Sequence, residues 1–190
     1  TTTGSVSGAN IDQAVEADTY IGDSDIKNGG DVSTSGLNLK VAPEQITYYR
    51  AGSGYALFTP AQDENLDTLL LHGAVIETNA NLDTPISLGS DTLIKLEGEN
   101  VIKNINADRG VGIRAIALSG EEQALTFESG SGASLDVSAW QCTNAGDMTI
   151  SGGRVNINGS VYGICSQDNL IIQNGAQVFA KGGEYGAAIM

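Results

Sequence analysis

Histidine occurs once, at His72, and cysteine twice, at Cys142 and Cys165, with no CxxC pair. A structural zinc site takes four such ligands at characteristic spacings, so zinc is almost excluded. The two cysteines by themselves do not separate a secreted disulfide from a pair of buried thiols. Proline is scarce, at 3 residues, while glycine reaches 25 in a chain of 190. That balance suits tight turns between short strands and works against long helices. No apolar run approaches the length of a membrane-spanning helix, so no membrane insertion is expected. The opening TTTGSVSGAN carries no signal-peptide pattern and begins as a mature or trimmed chain would.

Basic residues are few as well. Nine Lys and Arg stand against 23 Asp and Glu, for a formal net charge of −14. Such a surface repels phosphates and anionic lipids, which argues against a nucleic-acid partner. It agrees with a soluble, secreted protein. Clustered carboxylates can hold calcium, but neither an EF-hand loop nor a glycine-aspartate nonapeptide is present, and no cofactor is expected. The 41% hydrophobic content is enough to build a core.

What the chain does have is a recurring unit. Five segments begin with an apolar-x-apolar strand: Leu69-Leu70-Leu71, Ile94-Lys95-Leu96, Leu125-Thr126-Phe127, Met148-Thr149-Ile150 and Leu170-Ile171-Ile172. Glycine follows each (Gly73, Gly98, Gly130, Gly152, Gly175). A second strand comes next, clearest in Leu135-Asp136-Val137, Val155-Asn156-Ile157 and Val178-Phe179-Ala180, and then a third short run. A unit of roughly 22 residues is too short for a propeller blade and lacks the leucine-rich consensus. Period-2 alternation with β-branched residues indicates strands. The expected fold is all-β: a right-handed parallel β-helix (β-solenoid) of about five coils with an N-terminal β cap. Strands in successive coils would pair in parallel about 4.8 Å apart. Leu69, Ile94, Leu125, Met148 and Leu170 would form one inward ladder, with Lys95, Thr126 and Thr149 facing water.

Residues 1–16 read as a flexible lead-in, with a helical turn at IDQAVEA the one candidate helix. Residues 17–60 read as cap strands covering the first coil, because an exposed solenoid end is an unpaired strand edge. Residues 61–190 read as the β-helix proper, open at its C-terminal end and expected to continue into further coils or domains of a parent protein. The polar stretches NINADRG and LSGEEQ are expected to leave the coil as surface loops.

ITYYRAGSGYALFTP, LDTLLLHGAVIET, DTLIKLEGENVIKN and DMTISGGRVNI resemble repeats of large secreted proteins from gut and anaerobic bacteria described as carrying a carbohydrate-binding domain. The likeness covers residues 45–190, and more loosely YIGDSDIKNGG. It is most specific in TLIKLEGENVI and ISGGRVNI. The resemblance implies a right-handed parallel β-helix at the bacterial cell surface or outside the cell, and it brings no catalytic motif.

Three aromatics fall at related places before successive coil starts: Trp140, Tyr162 and Tyr185. As a ladder they could stack on the apolar faces of sugar rings along a polysaccharide or a host or plant glycan; packing at a corner explains them too. His72, Glu97, Glu128, Ser151 and Gln173 are expected at equivalent outward positions. Adjacent carboxylates there would be needed for a retaining glycosidase, although solvated turn residues suffice to explain them. A lyase of this fold class would need a base beside calcium-binding acids, and neither Arg114 nor Arg154 has a convincing acidic trio. Cys142 and Cys165 stack if counted from the preceding coil starts, whereas counting from the following starts sets Cys142 against Ile164. An inward Cys142 without an obligatory bridge is expected. The leading expectation is a non-enzymatic extracellular module for glycan binding or cell-surface adhesion. A structural stalk follows, and a polysaccharide lyase or glycoside hydrolase comes last.

Overall fold

Alternation of apolar and polar residues, interrupted by glycine turns, produces a chain built of short strands. The structure, a computed structural model, describes residues 25–62, 66–79, 84–106 and 109–190. The expected lead-in, the IDQAVEA turn and the first part of the cap lie outside the described residues. The strands are β1 (Lys27–Asp31), β2 (Leu37–Leu39), β3 (Thr47–Ala51), β4 (Gly54–Thr59), β5 (Asp67–His72), β6 (Val75–Thr78), β7 (Ile86–Leu88) and β8 (Thr92–Glu97). They continue as β9 (Glu99–Asn104), β10 (Val111–Ala115), β11 (Leu125–Ser129), β12 (Ser134–Asn144), β13 (Met148–Ser151), β14 (Arg154–Tyr162), β15 (Leu170–Gln173) and β16 (Gln177–Lys181). Among the described residues there is no helix, and therefore none long and apolar enough to cross a membrane.

Two sheets contain all sixteen strands. Sheet A runs β1-β3-β4-β5-β8-β11-β13-β15, and sheet B runs β16-β14-β12-β10-β7-β2, with β6 and β9 joined to it through β12. From β5 onward every neighbour in sheet A is parallel. The chain leaves sheet A, contributes to sheet B and returns one strand further along. Parallel neighbours need such a crossover because a hairpin cannot join them. In sheet B the first half of the long β12 pairs with β9 and its second half with β10. The N-terminal strands join the same sheets: β2 is parallel to β7, while the β3–β4 hairpin and the β4–β5 pair are antiparallel.

The inward positions form continuous rows, and the two that follow in sheet A are apolar apart from Asp67 and Thr92. In sheet A one row is Leu69, Ile94, Phe127, Ile150 and Ile172, and its neighbour is Asp67, Thr92, Leu125, Met148 and Leu170. In sheet B, Leu135, Val155 and Val178 stand in register, as do Val137, Ile157 and Ala180. One cluster of buried side chains runs from Val32 to Ile164, so both sheets share a core. The expected ladder through Leu69, Ile94, Leu125, Met148 and Leu170 is corrected by two residues: Leu125 stands opposite Thr92, and Ile94 opposite Phe127. The cause is Thr92, an inward residue that is polar. Its hydroxyl donates to the Ser90 carbonyl at 2.9 Å, so it can be buried with its hydrogen bond made.

Corners are tied by side chains. Asp91 Oδ1 accepts the Ala124 N–H at 2.8 Å, and Asp147 Oδ1 accepts the Asn169 N–H at 3.0 Å. Between β13 and β14 the turn needs its double glycine. Gly153 has φ +66°, and a Cβ there would lie 2.3 Å from the Ser129 Cβ. The LSGEEQ stretch is a surface loop, closed by an antiparallel bridge between Ile116 and Glu122 and exposed from Leu118 to Glu122.

Candidate functional site

The outward face of sheet B holds a connected set of side chains suited to recognition. Along β12, Leu135, Val137 and Ala139 are buried, so Ser134, Asp136, Ser138 and Trp140 share the opposite face. Along β14, Arg154, Asn156 and Asn158 take that face between buried Val155, Ile157 and Gly159. Register lines these residues up across strands: Asp136, Asn156 and Phe179 in one row, Ser138, Asn158 and Lys181 in the next. Asn156 Nδ2 donates to Asp136 Oδ1, and Arg154 Nε donates to Asn156 Oδ1 at 3.3 Å. The Arg154 guanidinium lies 5.6 Å from the centre of the Phe179 ring, a cation–π contact, while Phe179 is 59% exposed. Three strands thus present a connected row of carboxylate, amide, guanidinium and aromatic ring.

Two of the three aromatics expected in a ladder meet beside this row. The register of β12 with β14 passes from Ala139↔Gly159 to Gln141↔Tyr162, so β14 carries one extra residue. That bulge delivers Tyr162 to Trp140. Their centroids are 5.2 Å apart and their planes cross at 83°, an edge-to-face pair of half-buried rings, so they do not form a flat strip. Tyr185 is 91% exposed and projects from the Gly183–Gly186 turn, where the Gly183 N–H donates to the Val161 carbonyl at 3.1 Å.

Asp136, Asn156, Arg154 and Phe179 escaped the sequence reading as a group. The signal was present in the triplets Leu135-Asp136-Val137, Val155-Asn156-Ile157 and Val178-Phe179-Ala180. If the outer two residues face the core, the middle one faces out.

The set expected on sheet A divides. His72 stands opposite Glu97, with Nδ1 3.1 Å from Oε2. Glu128, however, stands opposite Lys95 and then Ser151 and Gln173. The two-residue correction in β8 is responsible, and it takes Glu128 out of the direct register with Glu97 on which the retaining-glycosidase expectation rests. The His72 ring stacks instead on Tyr55, at 4.9 Å and 9°, and Tyr55 lies 5.7 Å from Tyr48. Burial raises the Tyr48 phenol above its ordinary value even with Arg50 nearby. Arg114 sits in register between Ser87 and Asn144. Among the described residues no group of three His, Cys, Asp or Glu is placed to hold a metal.

Both cysteines are buried and unbonded. Gln141 pairs with Tyr162 and Ala145 with Ser166, each 21 residues on, which sets Cys142 opposite Gly163 and Cys165 opposite Asn144. Neither spacing considered for the thiols therefore holds, because the β14 bulge shifts the register between them. Burial pushes the Cys142 thiol up to about 12 and raises that of Cys165 as well. No family model matches the chain, and neither a curated protein nor a solved structure does.

Proposed function

We propose that the chain is a non-enzymatic, extracellular module of right-handed parallel β-helix type that binds glycans along the outward face of sheet B. The observation that carries this reading is the alignment of Asp136, Asn156, Arg154 and Phe179 in rows beside the Trp140–Tyr162 pair. Planar amide and carboxylate groups match the paired hydroxyls of a sugar, and exposed ring faces match its C–H face. A sheet surface with neighbours about 4.8 Å apart offers several such contacts along an extended chain. Handedness follows from the preference of crossovers between parallel strands of one sheet, right-handed in roughly 98% of cases. The resemblance to bacterial carbohydrate-binding β-helix repeats supports the same reading and the surface location.

A glycan array followed by pull-down on insoluble polysaccharides tests the proposal. Binding by the wild-type chain, lost in Trp140→Ala and Phe179→Ala variants that keep their circular dichroism spectrum, is the expected result. No binding to any glycan at high protein concentration would remove the reading. It would favour a stalk, for which the single core shared by the stacked strands is the supporting feature.

A further inference from the structure

Asn156 stands on the outward face of sheet B, on a strand flanked by β12 and β16, and its side chain is half-buried. The row through it runs Val75, Val101, Asp136, Asn156 and Phe179. Charged groups stand in the rows on either side: Glu99 and Arg154 in one, Glu77, Lys103 and Lys181 in the other. Glu77 and Lys103 are paired at 3.2 Å, and among the described residues no ion pair joins Arg154 to Asp136. Asn156 makes that connection instead. Its Oδ1 accepts the Arg154 Nε–H at 3.3 Å, and its Nδ2 donates to Asp136 Oδ1. A guanidinium can only donate and an ionised carboxylate can only accept, so a single orientation of the amide serves both.

Both ends of the Asn156 amide are therefore engaged within the face. The two bonds leave over the second oxygen of Asp136, an acceptor, and the terminal nitrogens of Arg154, which are donors. Arg154 is also held over Phe179, 5.6 Å from the ring centre. Arginine and aspartate side chains on a surface keep several rotamers, and fixing them beforehand lowers the entropy lost on binding. We infer that Asn156 is a positioning residue, acting through Asp136 and Arg154. It sets an acceptor beside a donor for two neighbouring sugar hydroxyls, one donating to the carboxylate and one accepting from the guanidinium. The inference rests on the glycan reading of this face and adds that the bound sugar carries an unsubstituted pair of adjacent hydroxyls.

Pull-down of the full chain on cellulose, xylan, mannan and starch, together with side-chain NMR in the absence of sugar, tests this. Asn156→Ala is expected to keep its circular dichroism spectrum and to bind about tenfold more weakly. Without sugar it should exchange the Arg154 Nε–H about fivefold faster, and the Phe179 ring resonances should move. Asn156→Asp still accepts from Arg154 but sets a second carboxylate against Asp136. Such a pair takes up a shared proton more readily than a lone carboxylate. Its binding is expected to be weak at about pH 8 and to recover in mild acid, a pH dependence that wild type lacks. The permethylated form of whichever polysaccharide binds is expected to be left in solution. Asn156→Ala binding as wild type does while Phe179→Ala fails to bind, unchanged Arg154 and Phe179 resonances, an equal loss in Asn156→Asp at every pH, or retention on the permethylated form would each overturn the inference and leave the glycan reading standing. No binding by wild type to any of the four polysaccharides or to a glycan array would remove both.

Discussion

Asn100 accepts the backbone N–H of Ala74 at 2.9 Å through its Oδ1, and its Nδ2 donates to the carbonyl of Ser134 at 3.2 Å. A single buried side chain therefore joins backbone 26 residues before it to backbone 34 residues after it. It stands in the row that Leu135 and Val155 continue. Replacing it with Leu would leave those backbone groups in an apolar interior without the amide. Each buried group so orphaned costs about 1–3 kcal/mol. Asn100→Leu is expected to lower the urea-unfolding free energy by about 3 kcal/mol; a loss below about 1 kcal/mol would contradict this role.

The turn glycines make a second expectation. Gly153→Ala must combine a strained positive φ with a Cβ 2.3 Å from that of Ser129, and should cost about 2–3 kcal/mol. Gly132 has φ +79° and open space around its Cα, so Gly132→Ala should cost about 1 kcal/mol from conformation alone. Thermal melts of the two variants separate strain from collision.

Alkaline pH tests the burial of Cys142. Its ordinary value near 9 rises to about 12 in the folded chain. Above about pH 9 the unfolded chain releases the thiol proton while the folded chain keeps it. The stabilising contribution is therefore complete below about pH 9 and is lost as pH climbs toward about 12. Wild type should lose more stability over that window than Cys142→Ala, measured as the difference between their denaturation curves at each pH. Native protein should also leave the Cys142 thiol unreactive toward a neutral-pH thiol reagent until it is unfolded.

How far the sequence discloses the fold depends on which residues face inward. Val155 and Ile157, with their counterparts in β12 and β16, announce their register because every inward position is apolar and the glycine corners fall at the same distance. Thr92 hides it, since a polar residue satisfied by its own turn looks like a surface residue, and a two-residue slip preserves the apparent alternation. The same slip misplaces Glu128. Counting along the repeat places Tyr162 near Trp140, but the bulge that turns one ring edge-on to the other leaves no mark in the residue pattern. Nor does the sequence distinguish two buried thiols from a bridge when an inserted residue sets the offset between them. The polar face of sheet B was legible in principle, because it follows from the inward residues once they are aligned.

The most direct test of glycan recognition is to follow backbone amide resonances during titration with an oligosaccharide drawn from an array hit. The account predicts shifts concentrated at Ser134–Trp140, Arg154–Tyr162 and Gln177–Lys181, on the outward face of sheet B. Shifts confined to β5, β8 and β11 of sheet A, or none at saturating sugar, would contradict it.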